Sequence, residues 1–477
     1  MARHVVRVHD ANGSDLRKHV AAIRTELGVT PDFPPEVEAA AEEGARSPRL
    51  PELDRTDLPL VTIDPASALD LDQAMHLERD GSGYVVHYAI ADVAAFVSPG
   101  DPVDVEANRR GETLYGADSK IPLHPRVLSE DAASLLPGRP RPALLWTVRV
   151  DEAGEGIDAR VERAMVRSRA RLDYDGLQRE VDAGAADGMF GLLREVGELR
   201  RRREAERGGV SLPLPDQEID IDGDRWSLSF RSMHPVEEWN AQISLLTGMA
   251  AADQMLYGRI GLLRTLPPPD PRDLQRLHRT ARALGITWPA EMLYPDFIRS
   301  LDASRPAHAA MLVASARLLR GAGYVAFDGI VPDEAGHSAL ASEYAHVTAP
   351  LRRLVDRYAL EICLALCADE EVPPWVLERL EQLPATMHAS GQRASQYENA
   401  IVNLVEAEVL RNSVGEVFDG VVVAVDEEDP HKGVVVVRQP AVEAVVRADA
   451  TLPLGDNVSV RLTEADPDTR NVRFELV

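Results

Sequence analysis

A chain of 477 residues is too long for one hydrophobic core and long enough for two or three domains. With 45% hydrophobic and 27% charged residues and no run of about 18 apolar residues, it reads as a folded, water-soluble protein with no membrane span. The net charge of -26 excludes a uniformly basic nucleic-acid-binding surface, but binding is decided by the local potential of a cleft.

The N-terminal MARHVVRVHDANGSDLRKHV has no apolar core of a secretory signal. Residues 1–55 are expected to form a short strand (His4–His9), an amphipathic helix (Ser14–Leu27) and an acidic Ala-rich helix (Pro35–Ala45). Strands dominate from Leu58 to about Val166, as in the alternating Tyr84–Ile90. Helical periodicity follows over Tyr174–Glu206, Val236–Tyr257, Pro271–Leu284 and Ala307–Arg320. A further helix is expected to open at Pro350 with Thr348 as its cap, and a long one runs from about Pro384 to Asn412.

Cys363 and Cys367, the only cysteines, lie four apart on the Pro350 helix. They read as small core residues and point to a reducing, cytoplasmic setting. After Gly415 five short β-rich segments (Val417–Val425, Gly433–Arg438, Glu443–Arg447, Asn457–Leu462, Val472–Val477) have the size of a small β-barrel. Arg160–Arg207 carries 12 Arg against 10 Asp and Glu; this is either a basic patch or a salt-bridged helical face. Lys18, Lys120 and Lys432 are the only lysines.

The stretch Val61–Ala74, VTIDPASALDLDQA, carries the chemistry. Leu60–Ile63 reads as a strand, Pro65–Ser67 as a turn and Leu69–Met75 as an extended return. Asp70 and Asp72, two apart, then share a face, and Asp64 can reach the same spot. Three crowded carboxylates repel unless a cation sits between them, and hard oxygen ligands suit magnesium, with manganese the other candidate. The plain alternative is a solvated acidic turn.

T-I-D-P-x-x-A-x-D-x-D-x-A resembles the metal-binding signature of the ribonuclease II (RNB) family of exoribonucleases. Val86–Val97, Arg110–Leu136, Arg207–Ser211 and His337–Arg353 match the same family in the same order. The resemblance implies an α+β fold: an N-terminal extension (1–55), an RNB catalytic domain (56–412) whose β-rich core is wrapped by helices, and a C-terminal OB-fold RNA-binding barrel (413–477). The first segment is too short for the cold-shock domains that family members often carry.

By the same resemblance Asp64, Asp70 and Asp72 match three metal-site aspartates, and Asp72 is also counted as catalytic. The family's fourth aspartate is here Gln73, whose carbonyl can ligate a cation without charge. Tyr115 matches the aromatic that stacks on the 3′ nucleotide, with plain barrel core as its alternative. Arg352 matches the phosphate-contacting arginine, Arg353 is the second choice, and both are expected in the first turn of the Pro350 helix. The plain reading of Arg352 is a pair with Asp356. Glu398, continuing the stripe of Ile401, Val402 and Val405, matches the catalytic glutamate. His87, Asp92, His337 and His346 read as structural hydrogen-bonding groups.

The expected protein is a cytoplasmic, magnesium-dependent, monomeric 3′-to-5′ exoribonuclease on single-stranded RNA, with no membrane partner. It would release 5′-nucleoside monophosphates by metal-assisted hydrolysis. Its rival is an RNB-fold RNA-binding protein with weak or no nuclease activity. A D-x-D glycosyltransferase leaves the other four stretches unexplained.

Overall fold

The computed structural model describes residues 14–116, 120–185, 188–222 and 225–477, so the expected strand His4–His9 lies outside the described residues. Six strands form the central sheet: β1 (Leu60–Asp64), β2 (Gln73–Asp80), β3 (Gly83–Ala91), β4 (Arg141–Val150), β5 (Gly156–Val166) and β6 (Ser168–Asp173). Their order is β5-β4-β3-β2-β1-β6, antiparallel except for the parallel β1–β6 pair.

Alternation along β3 divides two cores. Tyr84, Val86, Tyr88 and Ile90 join Trp146 and Val148 of β4 in the larger one. Ala89 and Ala91 join Ala74, Ala143 and Leu145 in a second core on the opposite face. The larger core is closed by Trp239, Ile243 and Leu246 of helix α3 (Pro235–Gly258) and by Val355 and Ile362 of helix α4 (Leu354–Ala368). Val37 and Ala41 of α2 (Pro35–Arg46) cover the second, and α1 (Ser14–Glu26) precedes it in the chain. The strand is therefore covered on both faces, as its central place in the sheet requires.

Three expected elements differ in extent. Tyr174–Glu206 is two helices, Tyr174–Asp182 and Met189–Arg207, because Gly184 (φ 69°) and Gly188 (φ 60°) turn the backbone left-handed between them. The helix expected at Pro350 begins only at Leu354: Arg353, not Thr348, is its extended N-cap residue, no side chain caps it, and Asp356 in its first turn accepts instead from the Ala349 N–H of the preceding loop at 2.6 Å. Ala307–Arg320 is a helix to Ser315 that tightens into a 3₁₀ turn, Ala316–Leu319.

The C-terminal strands β7 (Val417–Val425), β8 (Lys432–Arg438), β9 (Ala441–Arg447), β10 (Asn457–Asp466) and β11 (Asn471–Leu476) close a barrel in the order β7-β8-β9-β11-β10. Val422, Val435, Val437, Val446, Leu462 and Phe474 fill it. Helix α5 (Leu383–Leu410) carries the barrel, with Tyr397, Ile401, Leu404 and Val405 in the same core. Both cysteines are free, Cys363 fully buried and Cys367 partly so, and no helix among the described residues is long and apolar enough to cross a membrane.

Glu406 of α5 is 4% exposed where helix and barrel meet, accepting from Gln217 Nε2 at 3.0 Å and from the Glu443 N–H at 3.0 Å. Burial pushes its pKa up from 4.5 to about 7, against those two hydrogen bonds. The folded state therefore holds a proton that the unfolded chain releases, so stability falls as pH rises from about 4.5 to about 7, by roughly 3 kcal/mol at one pKa unit per 1.36 kcal/mol. Glu406→Gln keeps an acceptor for both donors and should raise the urea midpoint at pH 8 while leaving it unchanged at pH 4.5. Parallel midpoint-versus-pH curves for variant and wild type would refute this.

Candidate active site

Asp64 ends β1, paired in register with Asp173 of β6. The turn after it closes through the Ala68 N–H donating to Pro65 O at 2.9 Å. Arg171 of β6 fixes the turn, donating to Ala66 O and Ala68 O at 3.1 Å each. The return is not the strand expected from Leu69: β2 starts at Gln73. The backbone of residues 69–72 instead bonds to the segment after Leu128–Ala132. Leu71 N–H donates to Ser134 Oγ at 3.0 Å, Ser134 Oγ donates to Leu69 O at 2.6 Å, and Leu135 N–H donates to Leu71 O at 3.0 Å. Every buried backbone group needs a partner, and here the partner is a loop rather than a ladder. Leu71 is fully buried in the second core, so its neighbours Asp70 and Asp72 are turned the other way, into a cavity of about 1580 Å³.

That cavity brings together every candidate residue: Asp64, Asp70, Asp72, Gln73, Tyr115, Arg352, Arg353 and Glu398. Asp72, 3% exposed, accepts from the Leu351 N–H at 2.8 Å and faces Arg352 Nε at 3.6 Å. Burial pushes its carboxyl well above the usual range, against the charge of Arg352. Asp64 is pushed up to about 7, first by burial and then by Asp70. Gln73 donates its amide to Thr348 O.

Tyr115 sits in a two-stranded hairpin, Leu114–Tyr115 with Lys120–Ile121, opposite Lys120. The hairpin is stitched to the arginine segment by Thr113 N–H donating to Arg352 O (3.0 Å) and Leu354 N–H donating to Gly111 O (2.9 Å). The same segment is anchored on α3 at Gly248, where a Cβ would stand 2.1 Å from the Tyr344 ring. Glu398 is half-buried on the face of α5 that also presents Pro384, His388, Gly391 and Ser395 to the cavity, a helical repeat. It faces this space rather than the apolar core.

The two arginines exchange their expected roles in pairing. Arg353, not Arg352, holds Asp356, through Nε to Oδ2 and Nη2 to Oδ1, both at 2.8 Å. Arg352, with 42% of its side chain exposed, is left facing the cavity. The Arg160–Arg207 stretch is a salt-bridged surface: Arg194 pairs with Glu198, Arg201 with Glu238 and Arg203 with Glu155 and Glu206. Asp92 pairs with Arg163 at 2.7 Å and His87 bridges Thr147 and Glu78, both structural. His346 lines the cavity, its Nδ1 2.7 Å from Tyr324 Oη.

Sequence reasoning passes over Tyr174, Arg264 and Tyr324, which also line the cavity; they come from three separate elements and share no motif. It also passes over Lys120 and Glu130, although Lys120 is one of only three lysines and lies inside a family-like stretch. Lys120 Nζ lies 2.7 Å from Asp70 Oδ1 and 3.0 Å from Glu130 Oε1.

Among the described residues, no group of three or more His, Cys, Asp or Glu converges as a metal-binding cluster. The buried oxygens of Asp64 and Asp72, raised by burial with only part of their charge offset by arginine, suit a hard divalent ion. A two-ion set finds fewer charged donors, since Asp70 is held by Lys120 and position 73 offers only a neutral carbonyl, its amide nitrogen donating to Thr348 O.

Residues 53–367 match the RNB domain, and residues 416–477 match the RNase II-type exonuclease C-terminal S1 domain. The chain belongs to the RNB family. The RNB match contains seven of the eight candidate residues and ends before Glu398, which lies on the helix between the two matched regions. Ribonuclease R of Chlamydia trachomatis is 27% identical over 421 residues, 85% of this RNB chain; the chain spans 59% of that protein's length. Mycoplasma genitalium RNase R, solved with ribose-methylated single-stranded RNA, shares the fold at TM-score 0.86 and 19% identity, over 98% of this chain and 79% of that one. Yeast Ssd1, a pseudonuclease, shares it at TM-score 0.69 and 16% identity, over 98% and 58%.

Proposed function

We propose that this chain is a 3′-to-5′ exoribonuclease that hydrolyses single-stranded RNA to 5′-nucleoside monophosphates. One observation carries the reading: eight residues from four separated stretches of sequence line one cavity, in a chain of the RNB family. The cavity, roughly 1580 Å³, has room for more than one nucleotide.

Each side chain has a task that its surroundings allow. Tyr115 offers a ring to the last base, which contributes about 1–3 kcal/mol without regard to sequence. Arg352, exposed and adjacent to Asp72, is placed to clamp the scissile phosphate through charge-assisted hydrogen bonds. Arg353 supports that loop through Asp356 rather than reaching the substrate. Glu398, which lines the same cavity from α5, would orient the attacking water. Asp64 and Asp72 would hold magnesium or manganese, and a divalent cation there supplies charge against the phosphate and a more acidic water. RNA is the expected partner, and the cytoplasm and a monomer are the expected setting.

The RNB-fold binding protein without nuclease activity is favoured by two features, the uncharged Gln73 and the ammonium of Lys120 beside Asp70. End-labelled oligo(A) with magnesium, with and without EDTA, decides between them. Mononucleotide release abolished by EDTA is expected; intact oligonucleotide in both lanes, with RNA still bound, would establish the second reading.

Tyr115→Ala should change the final product more than the rate per bond. Without the ring the last nucleotides lose about 1–3 kcal/mol of grip each, so a longer end product should accumulate on the gel. An unchanged ladder would return Tyr115 to a packing role.

A further inference from the structure

We infer that Lys120 is the resident cation of this site: its ammonium holds Asp70 and Glu130 where a second divalent ion would need their oxygens, so the site takes one divalent ion per chain. The inference rests on the exoribonuclease reading for its meaning, but not for its test. Lys120 Nζ lies 2.7 Å from Asp70 Oδ1 and 3.0 Å from Glu130 Oε1, with the three side chains only 19%, 16% and 13% exposed. These are charge-assisted contacts shielded from water, where attraction between unlike charges is strongest. Arg126, 64% exposed, adds a longer contact of 3.7 Å to the outer oxygen of Glu130.

The placement is built rather than accidental. Lys120 stands opposite Tyr115 in the short hairpin, so the same two-residue ladder presents both side chains to the cavity. Glu130 comes from the π-turn Leu128–Ala132, and Ser134 just beyond it fixes the backbone on both sides of Asp70. Glu130 and Asp70 are therefore held by one loop network, and the hairpin brings Lys120 between them.

Two features of the chain then act in the same direction. Position 73 is a neutral glutamine, which adds no negative charge for a second ion, and its amide nitrogen donates to Thr348 O. Position 120 adds a positive charge at the carboxylate next to it in the cluster. A divalent ion sharing the occupied oxygen of Asp70 would sit against that ammonium and be repelled. An ammonium keeps its charge without any metal supply, and its three donors can turn from Glu130 toward a phosphate oxygen.

Bound Mn2+ is to be counted by electron paramagnetic resonance on the full chain, with 2′-O-methyl oligo(A) present. Wild type should hold one ion per chain, and Lys120→Met should hold two, because Asp70 and Glu130 are released. Asp70→Asn, which does not depend on the lysine variant folding, should keep one ion with affinity within threefold of wild type. A wild-type count of zero or two, or a loss of more than tenfold in affinity for Asp70→Asn, would overturn the inference. Hydrolysis of unmodified oligo(A) by the same preparation reports separately on the exoribonuclease reading: two ions with hydrolysis sinks only the role of Lys120, and one ion without hydrolysis sinks only that reading.

Discussion

Asp72→Asn should lower single-turnover hydrolysis of labelled oligo(A) by at least about 100-fold, which corresponds to about 3 kcal/mol of lost transition-state stabilisation. Asp72 is the most buried of the three aspartates, and its Oδ1 is already positioned by the Leu351 N–H at 2.8 Å. Asparagine can accept that same hydrogen bond, so the loop stays in place and only the charge is lost. Burial disfavours the charged form of Asp72 in the folded protein, so neutralising it should not lower the melting temperature. RNA affinity should be equal or higher, because a negative charge opposite the phosphate has been removed. Filter binding beside the kinetic assay separates these effects. Equal rates for variant and wild type would show that chemistry does not occur at this cluster.

The second large effect separates two adjacent arginines. Arg353→Ala leaves Asp356, whose side chain is 0% exposed, buried without its cation. Breaking a buried pair in this way costs about 3–5 kcal/mol, and the urea midpoint should drop accordingly. Arg352→Ala removes a side chain that is 42% exposed, and the unfolding free energy should change by less than about 0.5 kcal/mol. Turnover should nevertheless fall by roughly 10- to 100-fold, the worth of one hydrogen bond to a charged group at about 1.5–3 kcal/mol. The opposite pattern, with Arg352→Ala unfolding the chain and Arg353→Ala slowing it, would exchange the two assignments.

The sequence by itself determined the parts whose signal is local. Five β-rich segments after Gly415 were enough to suggest a small barrel by their number and size, while the closing pairs, β7 with β10 and β9 with β11, are not local. The two-residue spacing of Asp70 and Asp72 implied a shared face, and both line one cavity with Asp64. Cys363 is a buried core thiol, as its helical spacing indicated.

What only the tertiary structure decided are the partners. Leu69–Asp72 has the composition of a strand, but Ser134 and Leu135 take its hydrogen bonds, and nothing in those residues announces a partner more than 60 positions away. Pro350 is a good helix opener, yet Arg353 stays extended because its backbone bridges Glu112 and its guanidinium reaches Asp356. That contact decides which arginine is tied to Asp356 and which is left more exposed, although both line the cavity. The ammonium beside Asp70 is of the same kind: Lys120 lies 50 residues along the chain, and only folding the hairpin onto the acidic turn brings opposite charges within 2.7 Å. Local propensity sets elements, but the pairing of charges and hydrogen bonds depends on which surfaces the core forces together.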